Sequence, residues 1–163
     1  MKQHLIKITY VEYDSVAELN DTERLVVSEA ENVCKNAYAP YSQFHVGCAI
    51  LLSNNKIVTG NNQENAAYPS GLCAERVAMF AASSQYPDAS FVLMAVVAHS
   101  DNFSVNFPVP PCGACRQVMA EYEKRGNSSF KILIKGESGK IIRVNNVSDL
   151  LPLMFSNSQL HPL

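Results

Sequence analysis

The stretch Phe91-Val92-Leu93-Met94-Ala95-Val96-Val97-Ala98 is an uninterrupted apolar run of the length of one strand. Such a run is typical of a strand that is covered on both faces. A hairpin precedes it, with strands predicted over 46–52 and 56–60 around a turn at Asn54-Asn55. Two more strands are predicted over 130–134 and 141–144, and residues 4–13 favour either a short strand or an extended arm.

Helical spacing of apolar residues predicts helices between these strands. In the first helix, Val26, Ala30 and Val33 recur at this spacing, and Asn20 with Glu23 resembles a capping box. A hairpin followed by strands and helices in alternation predicts a layered α/β sandwich. The predicted helices are 21–38, 74–83, 112–124 and a short closing helix over 147–155 that Pro152 interrupts.

Size and charge narrow the classes of function. A chain of 163 residues fits one domain, and its net charge of -2 gives no general attraction to polynucleotides or anionic membranes. Polar residues interrupt the segment 1–7, and no apolar run is long enough to span a bilayer, so we expect a cytoplasmic protein. Five cysteines in such a chain favour metal ligation or burial over disulfides, with Cys34 and Cys48 as the buried thiols.

The chemistry is concentrated in Cys73-Ala74-Glu75 and Pro111-Cys112-Gly113-Ala114-Cys115. Cys112 and Cys115 are three residues apart at a predicted helix start, so their sulfurs lie on one side and can share a metal. Three thiolates leave a tetrahedral Zn²⁺ one open position for a reactive water, and Glu75 is well placed to move its protons. The pattern therefore predicts a catalytic zinc site.

The charge of the predicted site calls for a cationic side chain near the thiolates. Helix N-termini favour thiolates, and three thiolates leave the zinc with one excess negative charge that a nearby cation should compensate. Arg76 is the favoured partner and Arg116 the second candidate, although either could be a solvated surface arginine.

Other interpretations of the cysteines remain open at this point. A structural zinc would normally have a fourth cysteine or histidine ligand, and a thioredoxin-like pair would need neither Cys73 nor Glu75. The histidines are not counted among the ligands of this site, although His99 at the end of the buried strand is a conceivable exception. The histidines are His4, His45, His99 and His161.

Four motifs occur in order along the chain, at 37–47 (AYAPYSQFHVG), 60–69 (GNNQENAAYP), 73–76 (CAER) and 111–117 (PCGACRQ). On these motifs the chain resembles the small homotetrameric cytidine deaminases from about Glu29 to Phe155. The resemblance implies a three-layer α/β/α sandwich with a mixed five-stranded sheet in a single domain, 1–163. Residues 1–20 are an N-terminal extension, and 156–163 are a C-terminal tail.

The resemblance also implies an activity. It is the zinc-dependent hydrolysis of cytidine and deoxycytidine to uridine, deoxyuridine and ammonia in pyrimidine salvage, with one Zn²⁺ per subunit of a homotetramer. Cysteine as the first ligand points to free nucleosides, because the polynucleotide and deoxycytidylate branches usually begin with histidine. The implied site residues are Glu75 as proton carrier, Cys73, Cys112 and Cys115 as metal ligands, Phe44, Asn62, Glu64 and the backbone around Ala74 as substrate contacts, Arg76 beside the thiolates, and Phe155 in a neighbour's site.

Simpler structural roles compete with these assignments. Phe44 and Phe155 could belong to the core, Asn62 and Glu64 could only shape a turn, and Glu75 could only favour the start of a helix. Three other functions also compete. They are deamination of an aminonucleoside antibiotic of the blasticidin type, a binding module with structural zinc, and nucleic-acid editing, which the acidic balance disfavours.

Overall fold

The computed structural model describes residues 1–156 and 159–160, so most of the expected C-terminal tail, with His161, lies outside the described residues. The described residues form one mixed sheet of six strands with three α-helices. The strands are β1 (Val11–Tyr13), β2 (Phe44–Leu52), β3 (Ile57–Asn61), β4 (Phe91–Ser100), β5 (Lys131–Lys135) and β6 (Ile141–Val144). The helices are α1 (Asp21–Cys34), α2 (Ala74–Gln85) and α3 (Gly113–Arg125), with 3-10 turns at Val16–Glu18, Tyr68–Ser70 and Val147–Asp149.

The sheet has the order β1-β6-β5-β4-β2-β3. Among the strands that the structure describes, only β4 and β5 pair in parallel, and α3 provides the crossover connection that a parallel pair requires. The other neighbouring strands pair antiparallel. The prediction of a mixed sheet, with both parallel and antiparallel strand pairs, is therefore confirmed.

The expected number of five strands is wrong by one. Residues 11–13 form β1, which pairs with β6 so that Val11 lies opposite Arg143. This pairing satisfies backbone groups on the edge of β6 that the sheet would otherwise leave without partners. Residues 1–10 have no regular secondary structure and are exposed, so the arm interpretation holds for them and the strand interpretation for 11–13.

Two apolar cores lie on opposite faces of the sheet, and β4 contributes to both. Leu93, Ala95 and Val97 pack with α1 on one face, while Met94 and Val96 pack with α2 and α3 on the other. This alternation confirms that the run 91–98 is a strand covered on both faces, and it gives the three layers α/β/α.

The position of α2 depends on a close approach to β3. A Cβ atom added at Gly60 would lie 2.5 Å from the backbone nitrogen of Ala78, so only glycine lets this helix lie so near the strand. The contact fixes the N-terminal end of α2, where Cys73 is the residue before the first helical position.

The predicted closing helix over 147–155 is wrong. It consists only of the 3-10 turn Val147–Asp149, because proline lacks the amide hydrogen that a longer helix would need at Pro152. Helix α1 also ends at Cys34 rather than at residue 38, since the Tyr38 amide donates to the carbonyl of Asn62 instead. Among the described residues, no helix has the length and apolar character needed to cross a bilayer.

Candidate active site

Two helix N-termini bring the three predicted cysteine ligands together. Cys73 precedes α2, Cys112 precedes α3, and Cys115 lies in the first turn of α3. The Sγ of Cys112 is 3.9 Å from that of Cys73 and 3.5 Å from that of Cys115. Tetrahedral zinc with Zn–S bonds of about 2.3 Å places its sulfur ligands about 3.8 Å apart. The three sulfurs therefore have the spacing of a zinc site.

The thiols in this cluster influence one another strongly. Hydrogen bonds with the sulfur of Cys115 and with Arg76 outweigh burial and lower the pKa of Cys73 to about 5. The same contact with Cys73, together with burial, raises the pKa of Cys115. Three sulfurs this close cannot all be negative unless a cation lies among them, and a bound Zn²⁺ would supply that charge.

Arg76 occupies the position predicted for the compensating cation. Its terminal nitrogen lies 3.8 Å from the Sγ of Cys73. Arg116 does something else, because its guanidinium donates to the carbonyls of Pro111 at 2.7 Å and Leu150 at 2.8 Å. Arg116 thus ties the segment before Cys112 to the C-terminal part of the chain, and it is not a solvated surface arginine.

Glu75 is buried beside the sulfurs. Glu75 is 4% exposed, and its carboxyl group interacts with the thiol of Cys115. Burial raises the pKa of Glu75 above the usual range of a glutamate. A carboxyl group that can hold a proton nearer to neutral pH, next to a metal site, is suited to acid and base work.

An open cleft of about 510 Å³ contains Cys73 and Arg76 together with Asn62 and Glu64. With Tyr41 and Ser42 also in its lining, the cleft joins three of the four motifs in one space. A larger cavity of about 610 Å³ lies beside α1 and includes His45 and His99. We place the chemistry in the smaller one, because it is lined by Cys73, whose sulfur belongs to the cluster of three thiols. The remaining residues of the cleft are Gln63, Asn65, Tyr68, Gly71 and Leu72.

Asn62 and Glu64 both shape their loop and face the cleft. The side chain of Asn62 accepts a hydrogen bond from the Val46 amide at 2.7 Å and donates one to the Phe44 carbonyl at 2.9 Å. An amide side chain with these two bonds still has one donor and one acceptor site for a ligand.

The carboxylate of Glu64 accepts from the Tyr41 amide at 2.9 Å and the Ser42 amide at 3.3 Å. Burial raises the pKa of Glu64, but the hydrogen bonds from Ser42 and Tyr41 prevail and lower it below its usual range. Glu64 is therefore a fixed negative charge at the mouth of the cleft.

Comparison with known proteins agrees with this geometry. Residues 20–127 match the family model for the cytidine and deoxycytidylate deaminase zinc-binding region. The chain belongs to this deaminase family. The matched region includes the three cysteines, which are the group of metal-ligating side chains found among the described residues, so zinc is its metal.

Individual relatives extend the similarity over most of the chain. A cytidine deaminase of Halalkalibacterium halodurans is 40% identical over 133 residues, which is 82% of this chain and 93% of that one. One from Sporosarcina psychrophila is 41% identical over 140 residues, covering 86% and 95% of the two chains. The crystal structure of a cytidine deaminase from Burkholderia pseudomallei superposes with a TM-score of 0.70 at 34% identity, covering 84% of this chain and 100% of the other.

The structure places the remaining predicted residues of this deaminase outside the cleft lining. Phe44 begins β2 and is half-buried, and its ring lies near that of Phe103. Ala74 is fully buried at the start of α2. Phe155 is 58% exposed, and its carbonyl accepts a hydrogen bond from Gln117 at 2.8 Å, so it does not seal the core of its own subunit.

Sequence reasoning assigned no role to two aromatic residues of the cleft, Tyr41 and Tyr68, or to Phe103, whose ring lies near that of Phe44. Tyr41 and Tyr68 line the cleft, and their rings meet edge to face with centroids 6.0 Å apart. Both lie inside motifs that carry the family resemblance, so a signal for them was present. Phe103 has no such signal, because it lies in a loop outside those motifs.

Proposed function

We propose that this protein is a zinc-dependent hydrolase that converts cytidine and deoxycytidine, with one water, to uridine and deoxyuridine plus ammonia. The observation that carries the proposal is the buried carboxyl group of Glu75 in contact with a cluster of three thiols at two helix N-termini. Membership of the deaminase family and the relatives named cytidine deaminase support the same reaction.

Cys73, Cys112 and Cys115 hold one Zn²⁺ per subunit in this proposal, and Arg76 offsets the negative charge of the sulfurs. When bound, the metal supplies Lewis acidity that makes a water molecule nucleophilic near neutral pH. Glu75 carries the protons of the reaction. It accepts one proton from the attacking water and delivers it to N3 of the base, and it then accepts the remaining proton of the hydroxyl group on C4 and delivers it to the amine that leaves from C4.

The substrate contacts follow from the polar groups of the cleft. Asn62 and Glu64 bind the ribose hydroxyls, Phe44 packs against the base or the sugar, and the backbone around Ala74 contacts the base. A site with polar groups held in place for hydroxyls disfavours analogues that leave those groups unpaired. This arrangement favours a pyrimidine nucleoside over an antibiotic of the blasticidin type.

The assembly is part of the proposal. We infer a homotetramer in which Phe155 reaches the site of a neighbouring subunit, and the exposure of this ring outside its own cleft supports that role. We also place the protein in the cytoplasm, because its metal-binding thiols must stay reduced. The proposed conversion of cytidine to uridine places it in pyrimidine salvage.

One assay tests the activity. Purified protein is mixed with cytidine, and the loss of absorbance of the 4-amino chromophore is followed with and without a zinc chelator. We expect turnover of cytidine and deoxycytidine that the chelator abolishes and added zinc restores. Turnover of blasticidin S with cytidine left unchanged would refute the proposal, and activity on single-stranded DNA would favour nucleic-acid editing.

Light scattering tests the assembly separately. The expected mass is four times that of the 17.9 kDa chain. A Phe155→Ala variant that remains tetrameric should bind cytidine more weakly than the wild type. A monomeric wild-type enzyme with full activity would contradict the proposed contribution of Phe155.

A further inference from the structure

Phe103 lies against the aromatic residue that the proposed function assigns to the substrate. Strand β4 ends at Ser100, which is the cross-strand partner of Phe44 at the start of β2. Three residues further along the chain, the ring of Phe103 lies 6.3 Å from the ring of Phe44, with an interplanar angle of 31°. These values fall in the range of attractive aromatic pairs. Phe103 is 53% exposed, so one side of its ring packs and the other faces solvent.

Asp101 attaches the loop of Phe103 to both neighbours of Phe44. The amide of Asp101 donates to the carbonyl of Gln43 at 3.1 Å, and its carboxylate lies 2.9 Å from Nε2 of His45. These two contacts fix the chain two residues before Phe103 relative to the chain on either side of Phe44. The pairing of the two rings is therefore built into the backbone arrangement.

A second attachment holds the same loop after Phe103. Val105 is fully buried, and its carbonyl accepts hydrogen bonds from the amides of Glu137 at 2.8 Å and Ser138 at 3.3 Å. A Cβ atom at Gly136 would lie 2.4 Å from this carbonyl oxygen, so the turn between β5 and β6 packs directly on the loop. The loop then continues to the zinc-binding cysteines of α3. Phe103 is thus held between two fixed points.

We propose that Phe103 is a positioning residue that holds the ring of Phe44 in place against the bound pyrimidine nucleoside. This inference rests on the proposed function, because it takes Phe44 as a contact of the base or sugar. Phe103 acts through Phe44 and takes no part in the proton transfers. Its loss should weaken binding of the nucleoside more than it slows the chemical step.

The first experiment is a set of substitutions with kcat and KM measured for cytidine. Phe103→Ala should raise KM about two- to tenfold, the range of one aromatic pair, with kcat changed less than about twofold. Phe103→Tyr keeps the ring and should restore a KM near that of the wild type. Phe107→Ala is the matched control, because Phe107 lies in the same loop, is also 53% exposed, and has no ring contact among the described residues. It should leave KM unchanged.

The second experiment tests whether Phe103 acts through Phe44. Substitutions that act through one another are not additive. In a Phe44→Ala background, Phe103→Ala should therefore produce little further rise in KM. A further rise equal to the effect of Phe103→Ala alone would overturn the proposal. An unchanged KM in the single variant Phe103→Ala would also overturn it, and so would equal rises in KM for Phe103→Ala and Phe107→Ala.

Direct binding separates this inference from the proposed function. In a Glu75→Gln background, calorimetry should show cytidine binding that Phe103→Ala weakens by the same factor as KM. If the wild type neither binds nor deaminates cytidine, the proposed function itself fails. If the wild type does both and Phe103→Ala binds equally well, only the positioning role is lost. If Phe103→Ala changes the mass of the assembly but not the affinity for cytidine, Phe103 is an interface residue and the positioning role is overturned.

Discussion

Glu75→Gln is the substitution that most directly tests the proposed chemistry. Glutamine has nearly the shape of glutamate and keeps one oxygen acceptor, but it cannot take up and release a proton in the same way. The residue is the second of α2 and 4% exposed, so the new amide should occupy the same space beside Cys115. The three sulfurs are unchanged, and we expect zinc at about one per subunit.

The size of the loss follows from the role and from the burial. Proton transfer by a positioned group contributes about 10²- to 10⁴-fold, which is about 2.7 to 5.4 kcal/mol at 1.36 kcal/mol per tenfold. Because the carboxyl group is buried, bases in the solvent have little access to replace it. We therefore expect kcat to fall toward the upper end of this range, by about 10³-fold or more.

The assay follows cytidine absorbance, together with zinc content and thermal unfolding. Glu123→Gln is the matched control, because burial also raises the pKa of Glu123, while its carboxylate accepts from the Val147 amide away from the cleft. It should retain kcat within about twofold of the wild type. Burying a carboxylate is unfavourable, so Glu75→Gln should unfold at no lower temperature than the wild type. Wild-type rates in a zinc-loaded Glu75→Gln variant would refute the catalytic role and favour a structural zinc in a binding module.

Three further outcomes are expected. Cys115→Ser should lose zinc on dialysis against a weak chelator. Cys34→Ala is the control, because it removes a buried thiol on α1, and it should keep about one zinc ion per subunit. Equal zinc contents in the two variants would contradict the ligand set. Glu64→Gln should raise KM for cytidine by about tenfold or more, with a smaller effect on kcat, since a hydrogen bond to a charged group contributes about 1.5 to 3 kcal/mol. An unchanged KM would mean that Glu64 only shapes the turn and does not bind the substrate. The hydrogen bond from His45 lowers the pKa of Asp101 in the folded protein. The Asp101 carboxylate therefore stabilises the fold at pH values above its pKa in the unfolded chain, which is about 4. This stabilisation is lost as the pH falls through the lower pKa of the folded protein. Asp101→Asn should therefore lower Tm at pH 6 and differ less from the wild type near pH 3, and a difference that does not depend on pH would contradict this account.

Features that depend on neighbours along the chain were predictable. Asn20 accepts from the Glu23 amide at 2.9 Å, and the Glu23 carboxylate accepts from the Asn20 amide at 3.2 Å, as the capping box indicates. The run 91–98 forms a strand inside β4, and the cysteine motifs begin α2 and α3. Caps, periodicity and short motif spacing act over a few residues, so they can be read without the fold.

Other predictions failed where distant parts of the chain compete for the same backbone. Residues 11–13 could be an arm or a strand until β6 offers an unpaired edge. The segment 147–155 has a helical pattern, but Pro152 and the hydrogen bond of Arg116 to the Leu150 carbonyl favour an irregular course. Local propensity does not decide the state of residues 11–13, because that state depends on the strand that lies alongside. In 147–155 the interruption at Pro152 is local and visible in the sequence, whereas the contact between Arg116 and Leu150 is not.

The sequence by itself determined the metal chemistry. Three thiols, one carboxyl group and one arginine within two short motifs indicate zinc and a proton carrier, since spacing at a helix start already restricts where those side chains point. Only the tertiary structure decided how this metal site meets a substrate. Glu64 reaches the amide of Tyr41, 23 residues away, to form the cleft beside Cys73. Phe103 meets Phe44 across 59 residues, because the strand pairing of β2 with β4 brings their ends together.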